Sequence, residues 1–403
     1  MAHYLIELKP ISSFFFGTED SKSNDEKVNY FQRSAYFPQQ TALLGMIRFQ
    51  LLKQNELLPI NDNTDMASRL IGEKSFHVSS EVPSFGVIDS LSPLMLLKDD
   101  NKEDDIKEGD NKEEAYYLFD KSYVRYSDDE KRVKLKLEMN NQASLRSENH
   151  NIPAMPLLVL DRNGEPSVKY IAKYPFVSEF DTVQRNKAKE GKTEMHSLFH
   201  SKEQVGIEKS PDGVTKEDAY YKMEYKTLEK EWKFGFVLDL NDDLIKKFVE
   251  DSKKDLEGDL KGDFVVLGKE RSSFKMSVTR IDKKKRDALI GQSEIEYPQD
   301  NNGEMYKISL LSDTYIDDEK KFYEHTSFAN IDTIDFNNIF FEVSGKDNRY
   351  DSKPKKGGRR KLIKRGSEIF TKEPETLIRM IKEDEIARCF YKIGYNHFII
   401  NKL

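Results

Sequence analysis

Residues His3 to Lys9, HYLIELK, place Tyr4, Ile6 and Leu8 on one face of an extended segment, so a first strand is expected there, ended by Pro10. The period then changes. After SSFFFGTEDS, a loop with three aromatics before Gly17, the stretch Tyr30 to Leu52 carries Leu43, Leu44, Ile47 and Leu51 at helical spacing. Thr41, Gly45 and Arg48 fall on another side of that helix, and Thr41 is its expected N-cap. A glycine inside a helix costs roughly 1 kcal/mol relative to alanine. Gly45 therefore suggests that something approaches the backbone there, either a neighbouring element or an anionic backbone beside Arg48.

Between Met66 and Leu97 lie a short helical piece and SFGVIDSLSPLMLL, which Pro93 makes a better irregular cover than a central strand. Strand-like YYLF and VKLKLEM follow, then a hairpin turning at Asn163-Gly164. Pro211-Asp212-Gly213 marks a turn, with strands expected at 219–227 and 234–240. DLIKKFVEDSKKDL reads as a helix, and FVVLGKERSSFKMSV as a hairpin with Lys269 and Arg271 at its tip. A first domain closes near Asp282. The second begins with strands at YKISLL and NIFFEV, passes the basic stretch KPKKGGRRKLIKRGSEIF, and ends in a helix, EPETLIRMIKEDEIARC, and a strand, NHFIINKL.

With 403 residues, two domains are expected, at 1–283 and 284–403. Charged residues make up 34%, yet 11% aromatics are enough to build cores. One cysteine, Cys389, rules out an internal disulfide framework and fits a reducing compartment. The start MAHYLIELKP has no apolar signal core and no apolar run reaches the length of a membrane span, so a cytosolic protein is expected. The net charge of -7 argues against indiscriminate coating of nucleic acid, but it hides segregation. Residues 98–114 are an acidic insertion, whereas Lys353 to Arg365 holds eight lysines and arginines and no acid.

Walker, Rossmann and paired-cysteine metal motifs are absent from the sequence, and no cofactor is implied. His196 and His200, four apart with Glu203 nearby, would share a helix face and offer a metal or acid-base role, against the simpler reading of solvated side chains. The basic stretch is the stronger candidate. Gly357 and Gly358 let amides approach a phosphate, Arg359 and Arg360 can bind it bidentately, and Lys355, Lys356 and Arg365 add charge. The aromatics ending in Phe16 can stack on unpaired bases or pack into the core.

Four pieces resemble one family: the aromatic loop ending in Gly17, the block FPQQTALLGMIR, the VGI followed by YYKMEY, and the hairpin LGKERSSFKMSV. RGSEIF and GYNHF look like the same family's closing strands. That family is the RAMP subunit that holds the 5′ handle of CRISPR RNA in type III-B (Cmr) effector complexes, the third Cmr subunit. The resemblance implies an α+β chain of two ferredoxin-like domains with hairpin and loop insertions, and no catalytic centre. It also implies a hetero-oligomeric seat beside the large polymerase-like subunit and the first backbone RAMP subunit. Phe16, Gly17, Arg33, Thr41, Gly45, Arg48, Lys269 and Arg271, with the basic-loop residues, become candidate RNA contacts. Where the family reads proline stands Gln39 or Gln40, and where it reads a second glycine stands Lys269; the acidic insertion has no family role. A repeat-cleaving RAMP endoribonuclease using His196 or His200 is the alternative, and the equivalent type III-A subunit a third reading.

Overall fold

The computed structural model describes residues 1–17, 31–60, 64–73, 75–78, 83–98, 114–119, 178–182, 193–252, 262–268, 270–291, 304–337 and 355–403, together with short strands between 123 and 167 and at 339–340. It is a mixed α+β structure with several sheets. In the largest, Met95–Lys98, Trp232–Leu240, Ala2–Pro10 and Ser273–Ile281 lie side by side and antiparallel. Tyr4, Ile6 and Leu8 sit opposite Leu238, Phe236 and Phe234 and share one buried face with them. Helix Gln40–Gln54 covers that face with Leu43, Leu44, Ile47 and Leu51, the stripe its 3.6-residue period requires.

The other face of the sheet is also covered. Leu5, Val237, Leu97 and Ile281 pack there with Leu289 and Ile290 of helix Lys283–Ile290, and with Leu311 and Ile399 from the chain's last hundred residues. Those residues build a second sheet in the order Phe328–Asn330, Glu368–Thr371, Tyr306–Leu310, Phe398–Lys402, again antiparallel throughout. Helix Glu319–Glu324 links the second-sheet strands Tyr306–Leu310 and Phe328–Asn330, and helices Pro374–Lys382 and Glu385–Lys392 link Glu368–Thr371 to Phe398–Lys402. One apolar cluster runs on from the first sheet to Phe336, Leu362, Phe390 and Tyr395, so the two halves share a core.

Several expectations change. The segment around Pro93 is not an irregular cover: Ile88–Leu91 and Met95–Lys98 both pair with Trp232–Leu240. Proline is tolerated because Ser92 carries the pairing past it, its N–H donating to Val237 O (2.8 Å) and its hydroxyl accepting from Val237 N–H (2.7 Å). The helix expected over EPETLIRMIKEDEIARC is two. Glu383 and Asp384 both donate to Arg379 O, which ends the first, and Asp384 in an extended conformation starts the second. Within NIFFEV only Ile339–Phe340 is described as a strand.

A long hairpin, Phe199–Lys209 with Thr215–Leu228, takes Phe31–Arg33 as a parallel third strand. Gly206 in VGI sits opposite Tyr221, whose ring would come within 2.2 Å of an added Cβ, so the glycine makes room for the tyrosine. Most of the acidic insertion and the Asn163-Gly164 turn lie outside the described residues. Among the described residues, no helix is long and apolar enough to cross a membrane.

Candidate nucleic-acid interface

A cleft of about 850 Å³ opens where the loop leading into helix Gln40–Gln54 meets the basic strand Arg360–Ile363. One wall is Gly17 with Tyr36, Phe37, Pro38 and Gln39; the other is the run from Arg359 to Arg365. The strand is held by antiparallel pairing with Thr333–Phe336 and by a bridge from Ile363 to Thr314. Five cations line the cleft (Arg359, Arg360, Lys361, Lys364 and Arg365) against two carboxylates, Asp313 and Asp335. The helix adds to the positive potential. Its N-cap Gln39 lines the cleft, no side chain caps it and no acid stands in its first turn, so the positive end of its dipole is not countered locally.

The cations are held in different ways. Arg360 donates from Nη1 to the Tyr315 hydroxyl (2.6 Å) and lies over that ring at 5.2 Å. Burial pushes the Tyr315 phenol up, and the Arg360 charge pulls it back in part. Arg365, only 6% exposed, donates its backbone N–H to Asp313 Oδ1 (2.9 Å) and Nη2 to Oδ2 (3.0 Å), with its guanidinium 4.7 Å over the Phe37 ring. Arg359 pairs with Asp335 while its side chain stays 70% exposed. The loop carrying Asp313 and Tyr315 is clamped in turn by buried Asn396. At φ 60 it accepts from Tyr315 N–H (2.7 Å) and donates to the Tyr315 and Ile381 carbonyls (2.9 and 2.6 Å).

The sequence matches the family described as "CRISPR-associated protein (Cas_Cmr3)" over residues 6–403. The chain belongs to the Cas_Cmr3 family. The resemblance to the third Cmr subunit is thus borne out over nearly its whole length. Among solved structures, the chain is similar to one in the cryo-EM structure of the type III-B Cmr-beta bound to cognate target RNA and AMPPnP, at 16% identity and a TM-score of 0.45, covering 98% of this chain and 96% of that one. A chain in the Csm3-Csm4 subcomplex of a type III-A interference complex matches at 12% identity and a TM-score of 0.26, covering 91% and 92%. No curated protein matches in sequence.

Measured on this Cas_Cmr3 chain, the candidate contacts separate. Gly17, Arg359, Arg360 and Arg365 meet in the cleft. Phe16 does not present a face to bases: it is 2% exposed and stacks on Phe274 with ring centroids 6.0 Å apart, so the aromatic run is core. Thr41 is not the N-cap. The helix begins two residues earlier because Gln40, fully buried, reaches across to donate to the Gly394 carbonyl (3.1 Å), leaving Gln39 as the cap. Gly45 faces open space, with nothing within 4 Å of an added Cβ, so no element among the described residues explains it. Arg48 lies over the Phe85 ring at 5.1 Å, apart from the cleft lining.

Arg33 lies on the added hairpin strand over Phe31 and bridges to Glu224 at 3.5 Å. Arg271 stands exposed at the Leu267–Ser272 tip with φ 52, and Lys269 lies outside the described residues. Lys355–Lys356 pair with Ile339–Phe340, and the exposed Gly358 meets nothing within 4 Å; neither Gly357 nor Gly358 lines the cleft. His196 and His200 do not share a helix face, because the helix ends at Leu198 and His200 lies on the strand that begins at Phe199. Each pairs with a glutamate, Glu194 at 2.8 Å and Glu229 at 2.5 Å, while Glu203 pairs with Lys222. Among the described residues, no three metal-ligating side chains cluster. Sequence reasoning missed Tyr36, Asp313, Tyr315 and Asn396. Tyr36 directly precedes FPQQ and Asn396 lies within GYNHF, but no local periodicity marks a loop that works by holding other loops.

Proposed function

We propose that this chain is the CRISPR RNA-binding subunit of a type III-B Cmr effector complex, and that its inter-sheet cleft holds the 5′ handle of the guide without cleaving it. The observation that carries this reading is the cleft itself. Residues far apart in sequence, Tyr36–Gln39 and Arg359–Arg365, converge there with excess positive charge, a helix N-terminus and aromatic rings, a combination suited to unpaired RNA. Both sheets are read as ferredoxin-like, since each places the fourth strand beside the first and the second at the far side of the third, with helices in the crossovers. The large polymerase-like subunit and the first backbone RAMP subunit are the proposed neighbours, in a cytoplasmic ribonucleoprotein.

RNA recovered with the complex is expected to have one uniform 5′ end; scattered 5′ ends would sink the handle reading. Arg359→Ala with Lys361→Ala should weaken handle binding by about 1.5–3 kcal/mol per lost phosphate contact. It should also lower the salt slope of log affinity by about 0.7 for each contact to single-stranded RNA. Changing His196 and His200 together to Ala should leave RNA cleavage by the complex unchanged, because neither lines the cleft. Loss of repeat processing with intact folding would favour the endoribonuclease instead.

A further inference from the structure

Arg365 sits at the floor of the cleft with its charge already matched. Asp313 takes both its backbone N–H and its guanidinium, and 6% exposure leaves little of it for a ligand. What its guanidinium does face is the Phe37 ring, 4.7 Å away. On its other sides Phe37 packs against Phe180, Phe199 and Phe234, with ring centroids 5.9, 5.8 and 6.1 Å away. The ring is therefore clamped between the aromatic core of the first sheet and one arginine on the loop between strands Arg360–Ile363 and Glu368–Thr371. Pro38 follows with restricted backbone freedom, then Gln39 caps the helix. We propose that Arg365 is a positioning residue for bound RNA: it contacts no phosphate, but it fixes Phe37 and thereby sets the Tyr36–Gln39 wall and the helix N-terminus at a constant distance from Arg359 and Lys361. The inference rests on the cleft being the RNA site.

The ion pair can be removed without changing net charge by combining Arg365→Met with Asp313→Asn. That double variant is expected to bind handle RNA about tenfold more weakly, as loss of a desolvated cation–aromatic contact allows. Its log-affinity versus log-salt slope should match the parent, because no phosphate contact disappears. Phe37→Leu, which leaves the ion pair in place, should weaken binding similarly, and adding it to the double variant should cost nothing more. A fold defect alone would not couple the two sites in RNA affinity, and Phe37→Leu keeps the test usable if the double variant melts early. Parent-like binding by the charge-neutral variant or by Phe37→Leu would overturn the proposal. So would additive losses, or a slope lowered by about 0.7, which would make Arg365 a phosphate ligand. If Arg359→Ala with Lys361→Ala binds like the parent, the cleft reading itself fails; if those variants lose affinity and the Arg365 variant does not, only the positioning role falls.

Discussion

The sheet centred on Trp232–Leu240 and the sheet centred on Tyr306–Leu310 order their four main strands alike, but they bury different chemistry. The first encloses Ile6, Leu8, Phe234, Phe236 and Leu238, and its most elaborately bonded ionic group is the buried carboxylate of Asp239, ringed by Arg286, His3 and Ser90. The second keeps an apolar face but also buries a polar layer: Lys307 paired with Glu368 at 3.0 Å, and Ser309, Ser312, Thr314, Asn396 and His397. The difference has a structural use. Ser312 accepts from His397 N–H, Thr314 exchanges backbone bonds with Ile363, and Asn396 clamps Tyr315, so the polar layer anchors the loop that holds Arg360 and Arg365. Apolar packing alone is non-directional and would not hold a guanidinium at a chosen angle, whereas a satisfied hydrogen-bond network does.

The largest effect that tests this contrast is Lys307→Met. Leaving Glu368 charged and buried should cost about 3–5 kcal/mol in a denaturant titration, while Lys307→Met with Glu368→Leu should be near neutral. A small loss for the single variant would mean that the polar layer is not rigidly buried.

Acid should next separate the two sheets. Burial pushes the His397 imidazole down to about 3, so the unfolded chain binds more protons below the ordinary histidine value. Its contribution is complete above about pH 6.5 and is lost as pH falls towards the folded value. Burial raises the Asp239 carboxyl, but the Arg286, His3 and Ser90 bonds outweigh it and hold the group below its usual range. That contribution is complete above about pH 4 and is lost only as pH falls through the depressed value. Amide exchange should therefore show Tyr306–Leu310 loosening at milder acidity than Ala2–Pro10, and His397→Gln should flatten the first phase; simultaneous opening would break the contrast.

Gly394→Ala probes the seam between the sheets. Its φ of 90 disfavours any side chain, and a Cβ would stand 2.4 Å from the Ser92 carbonyl, so a loss of about 1–3 kcal/mol is expected in thermal or denaturant melts. Gly45→Ala should do the opposite and least, gaining about 0.5–1 kcal/mol because it faces open space inside a helix. If it also leaves handle binding unchanged, the Thr41–Gly45–Arg48 face is not an RNA surface; a clear loss of binding would restore it.

Much was legible in local pattern. The stripe Leu43, Leu44, Ile47 and Leu51 and the alternation in Ala2–Pro10 face the core as their periods demand. Less legible was which of two uses an ambiguous residue serves. Phe16 could stack on bases or on Phe274, and the period of a loop carries no answer. Pro93 argued against a strand, yet the N–H and hydroxyl of the neighbouring Ser92 carry the pairing with Val237 past it.

By itself the sequence determined most of the secondary elements, the segregation of basic residues into Lys353 to Arg365 and, through ordered short motifs, membership of the Cas_Cmr3 family. Those are properties of near neighbours in the chain, set by repeats of 2 and 3.6 residues and by runs of charge. The tertiary structure decided which cations share a site, which are matched by Asp313 and Asp335, and that Arg48 belongs with Phe85 rather than with Arg359. The physical reason is reach. A charge is neutralised or left to a ligand by groups within a few ångströms, and folding brings those groups from the far end of the chain.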